Sequence, residues 1–289
     1  MSGLRLGLVG HPVGHSLSPV IHHAALEACG LTGQYALIDR EEHELAEVVA
    51  SLRRGERDGL NVTIPYKIAI TRCVDALAGA ATDLGAVNTL VRDGERVIGH
   101  NTDVAGLVHA VREALGAGGL DGAPAAIIGA GGAARAAALA AFELGAGEVR
   151  VANRTSARAV QLAGALAATG RQVIVAPSFT AAASGARLLL QASSLGMSVV
   201  PDGGAWDAAH ETAARVVDAL APEALVFDLV YRPERTVWCA AAEAAGRPAV
   251  SGLGMLVHQA ADAFALWTGQ EPPREPLFAA ARRALAEHG

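Results

Sequence analysis

Cysteine is scarce: Cys29, Cys73 and Cys239 are the only three in 289 residues, scattered and odd in number. That excludes a disulfide framework and a metal knuckle, and the patterns around them read as buried thiols. Hydrophobic residues make up 52 % of the chain, yet no stretch of about 18 uncharged apolar residues occurs, so no membrane span is expected and the chain reads as soluble. Basic charge is not in excess. With 29 acidic and 23 basic residues interspersed, the net charge of −6 argues against a nucleic-acid partner and leaves a small substrate open. A leader is also missing, because Met1-Ser-Gly-Leu-Arg runs straight into a strand expected over Leu6–Val9, which points to the cytoplasm. No long heptad forces association, so monomer and homodimer both stay open.

What is present is a glycine turn. Residues 125–128 are an apolar strand, followed by Gly129-Ala130-Gly131-Gly132-Ala133-Ala134 and a run of good helix formers to Leu144. Gly129 permits the tight turn, Gly131 lets a phosphate approach the backbone, Ala134 is the third small position, and the free N–H groups at the helix start face the anion. One such match is weak evidence, so the following strand matters. It spans Glu148–Ala152 and ends at Asn153-Arg154-Thr155, 24 positions beyond Gly129, where a site for NAD would place an acid on the ribose hydroxyl. No acid stands there. Arg154, with Thr155 and Arg158 nearby, is placed to pair with a 2′-phosphate, and one such contact of about 1.5–3 kcal/mol gives a preference for NADP of roughly ten- to a hundredfold. A solvated surface arginine is the alternative.

The preceding part alternates strand and helix as an α/β unit of its own. Strands are expected over 6–9, 34–38, 60–64, 89–91 and 97–98, and helices over Pro19–Cys29, Glu41–Arg53 and Pro65–Leu77. Asp103–Leu115 carries Val104, Leu107, Val108, Val111 and Leu115 on one helical face, and Gly116–Gly122 reads as a linker. The length suits two domains, and the boundary is expected within 102–122. Further strands are expected over 172–176, 188–192 and 225–229. Final helices over 254–267 and 276–287 could cap either domain.

A hydride-transfer enzyme needs a proton donor or acceptor and hydrogen bonds that orient its substrate. Asn61-Val-Thr63-Ile-Pro65-Tyr-Lys67 ends a strand and starts an expected helix with Pro65 in its first position, so Lys67 falls in the first turn, where the helix dipole works against an ammonium. Asn101-Thr102-Asp103 precedes the next helix, whose dipole favours a carboxylate. A Lys67 and Asp103 pair would be a charged relay; a surface lysine and a helix-start aspartate are the alternative. His11-Pro12-Val13-Gly14-His15-Ser16-Leu17-Ser18-Pro19 is a second polar loop, in which Ser18 fits an N-cap and Ser16 a turn. His11, His15, His22 and His23 have no acid or cysteine at ligand spacing, so no metal site is expected.

Taken together these segments resemble the shikimate dehydrogenase family. The matching pieces are Gly10-His-Pro-Val-Gly-His-Ser16-Leu-Ser18-Pro, Asn61-Val-Thr63-Ile-Pro-Tyr-Lys67, Gly85-Ala-Val-Asn88-Thr, Asn101-Thr-Asp103, Gly129-Ala-Gly-Gly, Asn153-Arg-Thr, Asp228-Leu-Val-Tyr231 and Gly252-Leu-Gly-Met-Leu-Val-His-Gln259, in the family's order over nearly the whole chain. The resemblance implies NADPH-dependent reduction of 3-dehydroshikimate to shikimate, in chorismate and aromatic amino acid biosynthesis, with the substrate in a cleft between two α/β domains. It implies a substrate-binding and catalytic domain over 1–104, completed by C-terminal helices over 255–289, and a Rossmann-type NADP-binding domain over 105–254. It makes Lys67 and Asp103 the catalytic pair, puts Ser16, Ser18 and Tyr231 on the substrate carboxylate, and puts Thr63, Asn88 and Gln259 on the ring hydroxyls. On the cofactor it implies Gly129, Ala130, Gly131, Gly132 and Ala133, then Asn153, Arg154, Thr155 and Arg158, with Leu229, Gly252 and Met255 on the nicotinamide side.

Two positions depart from the family pattern: Gln191-Ala-Ser193-Ser194-Leu-Gly196-Met197 replaces a stretch that commonly begins with Asn, and His258 stands where tyrosine is often found. Two alternatives stay open. A related enzyme oxidises quinate as well as shikimate, usually with NAD, against which Arg154 and the serine pair argue; a nucleotide sensor would keep the fold without catalysis, against which the intact Lys67 and Asp103 argue.

Overall fold

The first strand, β1 (Leu4–Gly10), turns Leu6 and Leu8 to one face of its sheet and Val9 to the other, the alternation a pleated strand imposes. The computed structural model describes residues 3–116, 119–197 and 203–288. It holds two compact units: the first reaches as far as Gly106 and takes in Leu256–His288, and the second is Leu107–Met255. Residues 117–118 of the expected linker, and Gly289, lie outside the described residues.

In the first unit β1 is followed by α1 (Ser18–Ala28), β2 (Gly33–Asp39), α2 (Leu45–Arg53), β3 (Gly59–Val62), β4 (Ala76–Leu77), α3 (Ala80–Leu84), β5 (Thr89–Asp93), β6 (Arg96–His100) and the start of α4 (Asp103–Leu115), whose residues from Leu107 on belong to the second unit. The sheet order is β2-β1-β3-β5-β6-β4. Strands β2, β1 and β3 are parallel, whereas β5 runs antiparallel to both β3 and β6, with Asn61 opposite Thr89 and Thr89 opposite His100. Because β5 is reversed, its start lies at the same sheet edge as the ends of β1, β3 and β6. The loops bearing Ser16, Thr63, Asn88 and Asp103 therefore leave one edge.

The helix expected over Pro65–Leu77 is not there. Residues 64–68 are turns, the Ile64–Pro65 bond is cis, and only a short 3-10 segment, Ala69–Arg72, precedes β4. The backbone explains this: the Lys67 carbonyl accepts from Val87 N at 2.7 Å, Asp75 N bonds Val97 O and Ala78 N bonds Gly99 O, so groups an α-helix needs are taken by β5, β6 and their flanks. The β-branched Ile68, Ile70, Thr71 and Val74 offer little resistance to that outcome. Pro65 thus opens no helix, and Lys67 does not lie in a helix's first turn.

The second unit contains β7 (Pro124–Ile128), α5 (Gly132–Glu143), β8 (Glu148–Ala152), α6 (Ser156–Ala167), β9 (Val173–Val175), α7 (Phe179–Ala183), β10 (Leu188–Gln191), α8 (Gly204–Asp218), β11 (Leu225–Asp228), α9 (Val237–Ala244) and β12 (Ala249–Ser251). All its strand pairs are parallel, in the order β12-β11-β10-β7-β8-β9. The order reverses between β7 and β10, the switch point at which doubly wound sheets take ligands. Buried alanines at 134, 136–138, 140 and 141 bring α5 close against the sheet. The chain returns to the first unit within α10 (Leu253–Thr268), and α11 (Arg274–His288) then packs on α1. Of the cysteines, Cys239 is buried; Cys29 and Cys73 are half-buried, less covered than their sequence pattern suggests. Among the described residues, no helix is long and apolar enough to cross a membrane.

Candidate active site

Where β3 ends, Thr63 N bonds Val9 O at 2.9 Å and His11 N bonds Ile64 O at 3.1 Å, tying the loops after β1 and β3 together. Tyr66 sinks its ring into the core and donates its phenol to Arg40 O at 2.8 Å. Lys67 follows immediately, fixed on one side by that buried ring and on the other by its own carbonyl. Its Nζ donates to Asp103 Oδ2 at 2.6 Å, with side chains 17 % and 6 % exposed. Asp103 opens α4, where the N-terminal dipole favours its negative charge, and its N–H donates to Asn101 Oδ1 at 3.1 Å. Asp103 Oδ1 accepts from Asn88 Nδ2 at 3.0 Å. Each carboxylate oxygen is therefore committed, and the ammonium is aimed.

Asn88 is the hub. Its Nδ2 also lies 3.0 Å from Thr102 Oγ1 and 3.3 Å from Gln259 Oε1, while its Oδ1 accepts from Thr102 N at 2.8 Å. Thr102 Oγ1 donates to Gln259 O at 3.0 Å, fastening α10 to the group. Lys67, Asp103, Asn88 and Gln259 are thus brought into direct contact. The serines form a separate pair: Ser16 Oγ donates to Ser18 Oγ at 3.1 Å and accepts from Ser18 N at 3.2 Å. Ser18 is not the cap expected of it, since it lies inside α1 and Leu17 holds the cap position. Thr63 is half-buried beside the β3 end and makes no side-chain hydrogen bond to the pair. The four neighbouring histidines go separate ways: His11 pairs with Asp39, His23 accepts from Tyr35 N, His22 is buried and His15 is exposed.

In the second unit Gly129 has φ +123°, and a Cβ there would meet Ala192 O at 2.7 Å. Gly131 caps α5 in extended backbone and a Cβ on it would meet nothing within 4 Å, so the space before the helix is open. No side chain caps α5 and no acid occupies its first turn; α6 likewise starts at Thr155 without a side-chain cap or an acid. Asn153 Nδ2 donates to Thr155 O at 2.9 Å, shaping the turn from which Arg154 and Arg158 emerge exposed, their guanidinium groups without hydrogen bond or ion pair among the described residues. Two uncapped helix starts with two free guanidinium groups suit a phosphorylated dinucleotide. Leu229 N bonds Gln191 O at 2.9 Å and Gly252 N bonds Val230 O at 3.0 Å, which seats the loops after β10, β11 and β12 side by side. Tyr231 follows β11 in this unit, and Met255 is buried in α10.

Several functional contacts escaped the sequence reading. Gln191, one of the departures, accepts from Ser193 N at 2.7 Å and donates to Leu195 O at 3.0 Å, so it shapes the loop it opens; its Nε2 also lies 3.4 Å from Asp228 Oδ1. Asp228 is wholly buried, accepts from Val230 N at 3.0 Å, leaves Oδ2 without a partner, and burial pushes it up to about 7. The signal was a lone acid closing an apolar strand. His258, the other departure, is buried with its ring edge-on to Phe278, centroids 5.7 Å apart.

The chain matches the family models described as the shikimate dehydrogenase substrate binding domain over residues 8–90, shikimate/quinate 5-dehydrogenase over 111–219, and the shikimate 5′-dehydrogenase C-terminal domain over 252–282. It is 40 % identical to the NADP-dependent shikimate dehydrogenase of Moorella thermoacetica, covering 97 % of this chain and 93 % of that one. Shikimate 5-dehydrogenase of Thermus thermophilus, solved with NADP(H) and shikimate, superposes with a TM-score of 0.81 at 37 % identity, covering 97 % and 99 %. Quinate dehydrogenase of Corynebacterium glutamicum, solved with NAD, superposes equally well at 0.81 with 33 % identity over 96 % and 98 %. With its own lysine–aspartate pair and glycine cradle in place, the chain belongs to the shikimate dehydrogenase family.

Proposed function

We propose that this chain catalyses the reversible NADPH-dependent reduction of 3-dehydroshikimate to shikimate, a step of aromatic amino acid biosynthesis. The observation that carries the reading is the 2.6 Å Lys67–Asp103 contact, with the carboxylate fixed by Asn88. In the reducing direction Lys67 Nζ gives its proton to the oxygen formed at the ring carbon and is reprotonated from solvent; in oxidation it takes that proton back. Asp103 keeps the ammonium aimed and balances its charge. Reduced nicotinamide, when bound, supplies the electron pair as hydride. Ser16, Ser18 and Tyr231 hold the substrate carboxylate, and Thr63, Asn88 and Gln259 read the ring hydroxyls; a site of amides and hydroxyls discriminates because an analogue lacking one hydroxyl leaves a buried partner unpaired.

In this reading the first unit is the substrate and catalytic domain and the second is the NADP domain. Gly129, Ala130, Gly131, Gly132 and Ala133 take the pyrophosphate, and Asn153, Arg154, Thr155 and Arg158 take the adenosine 2′-phosphate. Leu229, Gly252 and Met255 face the nicotinamide. Three thiols outside any disulfide, and a reaction drawing on NADPH, support a cytoplasmic enzyme. Purified protein is assayed with shikimate or quinate against NADP or NAD, following cofactor reduction. Shikimate with NADP is expected to give the highest kcat/KM. Folded protein that binds NADPH yet shows no shikimate-dependent turnover overturns the proposal in favour of a nucleotide sensor.

A further inference from the structure

Behind the lysine–aspartate pair, the first unit buries a line of polar side chains, Tyr35, Asn61 and Thr89, that the reaction as described does not use. Tyr35 on β2 is 4 % exposed, and its phenol donates to Asn61 Oδ1 at 2.8 Å. Asn61 Nδ2 donates in turn to Asn88 O and to Thr89 Oγ1, both at 3.1 Å. Thr89 Oγ1 donates to Asn88 Oδ1 at 3.0 Å, and Asn88 Nδ2 ends the line on Asp103 Oδ1.

Register creates this line. Tyr35 stands opposite Leu6, and Asn61 opposite Leu8, so the two share a sheet face but lie on either side of β1, offset by two residues. Strands two apart are about 9–10 Å distant, which two short polar side chains cannot bridge and a tyrosine can. Its ring is held in place from below: His22 of α1 stacks on it at 4.3 Å with the planes 5° apart, and Trp267 of α10 lies against His22 at 5.3 Å. Burial pushes the His22 imidazole down to about 3, with the Asn61 side chain opposing, so it is a neutral platform. Burial also pushes the Tyr35 phenol up, against a smaller opposing effect of the Ser18 hydroxyl, which keeps it a donor.

The Asn88 carbonyl only accepts, so the Asn61 amide nitrogen faces β5, where it meets that carbonyl and Thr89, and the amide oxygen faces Tyr35. The Tyr35 phenol donates to that buried oxygen, which is left without its partner when the hydroxyl is removed. We infer that Tyr35 is a positioning residue for the Lys67–Asp103 pair, acting through Asn61 and Thr89 on the direction of the Asn88 side chain. The inference rests on the proposed role of that pair.

Tyr35→Phe keeps the ring on His22 and removes only the hydroxyl. The expected result is folded protein with unchanged NADPH affinity and a kcat with shikimate about tenfold lower, because small misplacement of a proton donor is costly. The decisive arm is a double-mutant cycle: in an Asn88→Ala background, Tyr35→Phe is expected to cost less than about twofold. A tenfold loss that persists in that background assigns Tyr35 a merely structural role and overturns the inference, as does a Tyr35→Phe enzyme within about twofold of the parent. Should Tyr35→Phe not fold, Thr89→Val and Thr89→Ser replace it: Val is expected to lose about tenfold and Ser to stay near the parent, and equal activity of the two overturns the inference. A folded parent without shikimate-dependent turnover sinks the proposed function as well; an active parent indifferent to these changes sinks this inference alone.

Discussion

Lys67 sits at the meeting point of short-range and long-range causes. Tyr66 before it is locked in the core, its carbonyl is held by Val87, and its ammonium is held by a carboxylate whose other oxygen is bonded to Asn88. Replacing it by alanine is expected to lower kcat by about a hundred- to ten-thousandfold, the range for losing a positioned acid or base, with KM for shikimate changed little. Steady-state kinetics check this, and near-normal turnover would remove Lys67 from the chemistry. Both partners are legible in the sequence as polar residues at the start of expected helices, but Lys67 lies in a turn rather than a helix. Asp228 shows what the sequence hid, because its burial depends on strands on both sides. An unfolded carboxyl releases its proton near pH 4, whereas this one is held up at about 7, so the folded protein carries the extra proton between those values. Its contribution to stability therefore falls as pH rises through that window and levels off above it. Asp228→Asn is expected to remove this slope, narrowing the stability lost between pH 5 and pH 8 by roughly 1–4 kcal/mol in urea denaturation, an order-of-magnitude figure. Parallel pH dependence in variant and parent would show that Asp228 does not titrate there.

At the level of elements, the strands of the second unit were readable because parallel strands covered on both faces are apolar throughout, as Leu188–Gln191 and Leu225–Asp228 nearly are. The stretch after Pro65 was not, because its shape is decided by bonds to β6 and to Val87 ahead of β5 rather than by local propensity. The glycine turn is the element whose sequence reading can be tested most sharply. Gly129→Ala puts a Cβ onto the Ala192 backbone at a φ that L residues avoid, so it is expected to cost on the order of 2 kcal/mol or more and to weaken NADPH binding as the loop shifts. Gly131→Ala meets no protein atom, and φ −92° suits alanine. It is expected to move stability by only about 0.5 kcal/mol while, under the proposed cofactor site, weakening NADPH at least about tenfold, because its methyl group would enter the space proposed for the phosphates. Thermal melts and fluorescence titration separate the two effects. Equal losses of stability would mean that Gly131 serves the fold and not the ligand.

For the whole molecule, the order of the chain matters as much as its elements. The first unit is left after Gly106 and completed only by Leu256–His288, so its last helix is synthesised after the entire second unit. Periodicity reveals that α11 has an apolar face but not which sheet or helix it covers, since a face of leucine and alanine fits either. In the structure Leu277, Ala280, Ala281, Ala284 and Leu285 are buried, α11 packs on α1, and Arg274 is paired with Asp262 of α10 at 3.0 Å. Exposing the two leucines costs about 3–6 kcal/mol before the uncovered side of α1 is counted, a large part of the 5–15 kcal/mol that holds an ordinary domain together. The second unit has its own core, built on Val226, Leu189, Ala213 and Trp238. A chain ending at Gln270 is therefore expected to lose shikimate-dependent turnover while still binding NADPH, and its melt is expected to show one early transition and one that NADPH raises. Turnover at the parental rate would mean that the first unit stands without its C-terminal helix, and loss of NADPH binding would mean that the second unit depends on the first for its fold.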